Sequence, residues 1–119
     1  MARTAEVARA WLHAFNAKDL DALLALYADD CVHTSPKIRA LHPETGGELR
    51  GKVHLRAWWA DAFTRLPGLT YEETCVTAGD ASVVLEYVRK VPGEAALYVA
   101  EVFELDGAGR IRASRVYHG

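Results

Sequence analysis

No stretch of this chain approaches the roughly 20 consecutive apolar residues of a membrane-spanning helix. Its N-terminus, MARTAEVARAW, lacks the uninterrupted apolar core of a secretory signal, so a cytoplasmic location is expected. Charge of one sign is lacking as well: 14 Lys and Arg stand against 16 Asp and Glu, a formal net of -2, with the two signs interspersed. Without a basic stripe nothing neutralises a row of phosphates, and nucleic acid is not an expected partner. Only two cysteines occur, Cys31 and Cys75, with 43 residues between them. That spacing spells neither a redox pair nor a zinc ribbon, and free thiols are the simplest reading. Internal repeats and low-complexity tracts are absent.

What is present reads as one domain over residues 1–119, long enough for one hydrophobic core and too short for two. Thr4 is a plausible N-cap for a first helix, in which Val7, Trp11, Ala14 and Phe15 recur at helical spacing up to the NAKD segment. Asp19 is placed to cap a second helix with Leu20, Leu23, Leu24 and Tyr27 on one face. A third runs from about Gly51 to Leu66, with Leu55, Trp58, Trp59, Ala62, Phe63 and Leu66 as its apolar stripe and Pro67–Gly68 as its stop. From Leu69 the period changes to two in LTYEETCVT, ASVVLEYVRKV, ALYVAEVFEL and RIRASRVYH, separated by turn-compatible AGD, PGEA and DGAG. Helices followed by a meander of strands predict an α+β domain.

Between helices two and three lies DDCVHTSPK, with Cys31, His33 and Ser35 at alternate positions and so on one face of a short strand. After it, KIRALHPETGGELR holds Pro43, Gly46 and Gly47 in fourteen residues and reads as a loop. Lys37, Arg39, His42 and Arg50 fall within it, and a lid over a site, a solvated excursion and a dimer contact all remain open there.

The order helix, helix, short strand, helix and four long strands resembles the nuclear transport factor 2-like superfamily, which includes ketosteroid isomerases and SnoaL-like polyketide cyclases. NAKDLDALLALYADD, Gly51 at the start of helix three and the closing GAGRIRASRVYHG carry the resemblance. It implies a cystatin-like α+β roll: three N-terminal helices packed on a strongly curved antiparallel sheet around a conical, mostly apolar cavity. It also implies homodimers through the outer face of the sheet. The fold hosts isomerases, cyclases, dehydratases, epoxide hydrolases and binding modules, so function rests on the cavity residues.

Ungapped alignment with the ketosteroid isomerases places Ser35 where they carry an aspartate base and Trp11 where they carry a tyrosine donor. A serine without a base does not abstract a carbon-bound proton, and an indole only donates, so steroid isomerisation by that route is not expected. Glu101 occupies the position of their protonated acid. Facing an apolar cavity it should hold its proton to higher pH; facing outward it would be solvated or paired with Arg115. His33 is the candidate replacement base and His118, near the end of the last strand, a candidate at the cavity mouth; for each, a structural or surface imidazole is the alternative reading of equal weight. Trp11, Tyr27, Ser35, Trp58, Trp59, Val99 and Ser114 are the expected wall, although core packing explains the aromatic ones as well. His13, His42 and His54 look like surface residues. No metal is expected, because no familiar ligand spacing occurs, and the resemblance implies no cofactor. The readings that follow are a cofactor-independent enzyme moving a proton on a small hydrophobic molecule, or a non-catalytic ligand-binding or dimerisation module. An epoxide-hydrolase variant would need a second acid beside Glu101, such as Glu86.

Overall fold

Apolar residues every three or four positions wind Arg3–Asn16 into α1, which buries Ala8, Trp11, Ala14 and Phe15. The computed structural model describes residues 3–119. Thr4 lies inside this helix rather than capping it: its hydroxyl donates to the carbonyl of Gly79 at 2.8 Å, tying the helix to a distant hairpin. Asp19 caps α2, Leu20–Ala25, by accepting from the Ala22 N–H at 3.1 Å.

Tyr27 departs from the helical face expected for it. It opens strand β1, Tyr27–Thr34, because pairing of Tyr27 with Ile111 outweighs continuation of a six-residue helix. The segment expected to be a loop is also corrected. Ser35 caps a short helix α3, Pro36–Leu41, with Pro36 in its first turn, where the missing N–H costs nothing. A single 3-10 turn, Pro43–Thr45, and strand β2, Glu48–Arg50, complete it. Among the described residues the α-helices thus number four rather than three. Gly51, at φ +85°, swings the chain from β2 into α4, Lys52–Arg65, a conformation that favours glycine. Of the expected stripe on α4, Leu55 and Trp59 are buried, while Trp58 is half-buried.

Strands β3, Thr70–Ala78, β4, Ser82–Lys90, β5, Leu97–Leu105, and β6, Ile111–His118, form the meander. The six strands make one sheet in the order β2-β1-β6-β5-β4-β3. It is mixed rather than purely antiparallel, because β1 runs parallel to β6 and brings His33 opposite Ser114. The inner face carries three successive rows: Ser114 beside Phe103, then Val116, Glu101 and Leu85, then His118, Val99 and Tyr87. Trp11, Phe15, Leu23, Tyr27, Trp59, Leu85, Phe103 and Ile111 are among the buried side chains between helices and sheet. Among the described residues no helix is long and apolar enough to cross a membrane.

Candidate functional site

Strand alternation in VAEVF turns Glu101 inward, where it is 1% exposed between the inward-facing Val99 and Phe103. Arg115, its alternative partner, bonds Glu104 on the opposite face instead. One carboxyl oxygen of Glu101 accepts from the Tyr87 hydroxyl at 2.9 Å, and the other, Oε2, is the buried side-chain atom left without a partner among the described residues. Burial raises the Glu101 pKa from 4.5 to about 8, against the lowering effect of the Tyr87 hydrogen bond. At neutral pH this carboxyl is an acid. Its proton belongs on Oε2, since Oε1 is already occupied as an acceptor.

The cavity in front of Glu101 is also lined by Trp11, His33, Ser35, Trp58, Trp59, Val99 and His118. Tyr27 and Ser114, expected on its wall, lie one layer behind it, because the parallel β1–β6 pairing turns both into the core. Sequence reasoning missed Tyr71, Tyr87 and Arg89, which complete the lining with Lys37 and Val116. Tyr87 was within reach: the hairpin register sets Leu85 opposite Glu101, which puts Tyr87 diagonal to it on the same face. The cavity is narrow, because Trp11, Phe15, Tyr71 and Tyr87 stack into its base, with Phe15–Tyr71 and Tyr71–Tyr87 centroids 4.0 and 4.1 Å apart. About 40 Å³ is open to the centre of a water molecule, whereas a single water needs roughly 10–15 Å³.

The hidden pair explains how His33 is held. The Trp11 indole N–H donates to the Tyr27 hydroxyl at 3.2 Å, that hydroxyl lies 3.2 Å from Ser114 Oγ, and Ser114 Oγ lies 2.5 Å from His33 Nδ1. An indole can only donate, so one arrangement satisfies every group: Trp11 to Tyr27, Tyr27 to Ser114, and Ser114 to Nδ1. His33 then carries its proton on Nε2. Burial lowers its pKa from 6.5 to about 4, so the ring is neutral. The ring packs against Trp59 with centroids 5.5 Å apart.

His118 is exposed at the mouth, and burial of part of its ring together with the Lys37 and Arg89 charges lowers its pKa. It too is neutral at working pH, with a nitrogen free to take a proton. Ser35 faces the cavity, and its oxygen accepts from the Lys37 N–H as the cap of α3. Cys31 is buried, and Cys75, His13, His42 and His54 are exposed. Glu86 is exposed on the outer face and does not form an acid pair with Glu101. Among the described residues no cluster of three His, Cys, Asp or Glu side chains is arranged to hold a metal.

Comparison with known proteins gives this geometry a setting. The family model for the SnoaL-like domain matches residues 8–114. A SnoaL-like protein of unknown function from Burkholderia thailandensis is 32% identical and superposes with a TM-score of 0.89, over 100% of this chain and 97% of that one. A candidate isomerase of the SnoaL-like family from Agrobacterium tumefaciens is 16% identical, with a TM-score of 0.80 over 100% and 99% of the two chains. A candidate polyketide cyclase from Sinorhizobium meliloti is 19% identical, with a TM-score of 0.78 over 94% of each. No curated protein sequence matches the chain. With nearly its whole length accounted for by one family model, the chain belongs to the SnoaL-like family, within the cystatin-like, nuclear transport factor 2-like fold.

Proposed function

We propose that the chain is a cofactor-independent enzyme that moves a proton on a small carbonyl compound, in an isomerisation, cyclisation or dehydration. The observation that carries this reading is the unpartnered Oε2 of a protonated, fully buried Glu101 beside a narrow cavity. A carbonyl oxygen entering there accepts from Oε2–H, with the His33 Nε2–H as a second donor. The cavity takes only the reacting end of a molecule, and the remainder lies toward the mouth.

The base in this scheme is His118. Its imidazole removes a proton from the carbon next to the carbonyl; the C–H electrons form the enol double bond, and the oxygen gains charge that Glu101 and His33 stabilise. The imidazolium then returns the proton to another carbon, or, in a dehydration, to a leaving hydroxyl that departs as water with the C–O bonding electrons while the enol electrons form the new C=C bond and the carbonyl is restored; Glu101 keeps its own proton throughout. His33 serves as donor rather than base, because its Nδ1 is filled by Ser114 and the relay behind it ends at an indole that cannot accept. The test is deuterium exchange next to the carbonyl, followed by proton NMR over a panel of small ketones and 1,3-dicarbonyl compounds in D₂O. Glu101→Gln and His118→Ala should each slow the exchange by about a hundredfold or more while the circular dichroism spectrum is unchanged. Exchange at equal rates in all three proteins contradicts the reading.

One observation favours a second reading, a binding module: the rings stacked into the cavity leave about 40 Å³. Saturable binding of the same compounds, with no exchange in the wild type, would select it. In either case Tyr98 and Tyr117, 66% and 54% exposed on the outer sheet face, supply the apolar contact of the proposed homodimer. Tyr98→Lys with Tyr117→Lys should shift the sedimentation coefficient to that of a monomer.

A further inference from the structure

The mouth of the cavity concentrates positive charge in a chain whose net charge is -2. Arg89 and Lys37 line both the cavity and the adjoining groove, where Trp58 and Arg65 join them, and His118 closes the other side. Arg89 is the unusual member. Its side chain is only 9% exposed, yet its guanidinium has one protein partner among the described residues, Glu94, which accepts from Nη1 at 2.9 Å. A buried guanidinium presents five N–H donors in a planar fork suited to a carboxylate, and Glu94 uses one of them. Glu94 itself sits on the β4–β5 turn with its side chain 47% exposed, so releasing it to solvent costs little.

We propose that Arg89 and Lys37 form a carboxylate subsite at the mouth, and that the substrate is an oxo acid whose carbonyl reaches Glu101 while its carboxylate displaces Glu94 from Arg89. The row of His118 and Val99 is two residues from that of Glu101, about 7 Å along the strand, and Arg89 is four residues from Leu85 in the Glu101 row, about 13 Å. Lys37 and Arg89 line the same cavity as Glu101, so an occupant of that cavity meets all three. A carboxylate therefore lies a few bonds from the carbonyl, with the intervening carbon exposed to His118. The mutual repulsion of Lys37 and Arg89, which contributes to lowering the Lys37 pKa after burial, is relieved by the incoming anion. Glu94 holds the subsite in the free protein as a built-in competitor.

This subsite rests on the proposed function for the carbonyl end only; the carboxylate end is tested separately. The probes are 4-oxopentanoate, its methyl ester and pentanoate, titrated into the ¹⁵N-labelled protein while the His118 and Glu94 amide signals are followed. Both carboxylates should bind at least about tenfold more tightly than the ester. Glu94→Gln should tighten them several-fold, and Arg89→Gln should erase the preference for acid over ester. Because Arg89 is buried, Lys37→Gln gives a second readout: the preference should fall and its salt dependence should weaken. Equal binding of acid and ester, no saturable binding of the acid, or a Glu94→Gln variant that binds acids no better each overturns the subsite. Loss of deuterium exchange in Glu101→Gln with acid binding retained separates the two ends. An acid preference that persists where exchange is absent even in the wild type refutes the catalytic reading and leaves the subsite standing.

Discussion

Glu101 shows how one side chain is read from both ends. Alternation along β5 made its inward facing legible, since Val99, Glu101 and Phe103 share a face. The role of His33 was not legible. As a side chain two residues from Ser35 it looked like a substitute base, but its tautomer is fixed by Ser114, 81 residues away, and through it by Tyr27 and Trp11. No local pattern announces partners brought together by a parallel strand pair. Ser114→Ala leaves Nδ1 of His33 without a donor and the Tyr27 O–H without an acceptor, although Tyr27 still accepts from Trp11, and should lower stability by about 1–3 kcal/mol in urea unfolding. Ser114→Cys keeps a weak donor and should recover part of the loss. An Ala variant as stable as the wild type would show that the relay contributes nothing.

At the scale of elements, α1, α2, α4 and the four long strands were visible in the sequence because hydrophobic period and turn chemistry agree there. Residues 37–50 were misread because Pro43, Gly46 and Gly47 dominate their composition. The decisive signal was Ser35 followed by Pro36, a cap and a first-turn proline ahead of a six-residue helix too short to show a period. Ser35→Ala removes the side-chain oxygen that accepts from the Lys37 N–H and should cost about 1 kcal/mol, with exchange protection lost first at the amides of α3. Gly68 closes the turn after α4 directly against the β4–β5 hairpin: an added Cβ would stand 2.6 Å from Pro92 Cγ. Gly68→Ala should therefore lower the melting temperature, and Gly107→Ala, which meets nothing within 4 Å, should not.

For the whole molecule, two buried groups set the pH dependence in opposite directions. Glu101 titrates at about 8 when folded and 4.5 when unfolded, so its contribution is complete below 4.5 and is lost as pH rises toward 8. His33 titrates at about 4 when folded and 6.5 when unfolded, so its contribution is complete above 6.5 and is lost as pH falls toward 4. Between 4.5 and 6.5 the two slopes oppose one another, and from 6.5 to 8 that of Glu101 acts alone. Urea unfolding should therefore show a decline in stability over that upper range, absent from Glu101→Gln; a wild type with the same slope as the variant would remove the coupling. The proton on Glu101 underlies the site chemistry and this stability profile alike. It is read directly by a ¹³C NMR titration of glutamate side-chain carboxyls, with Glu101 assigned by its absence in Glu101→Gln. A Glu101 signal that stays protonated through neutrality and titrates near 8 is the predicted result; one that titrates near 4.5 and is ionised at neutral pH contradicts it.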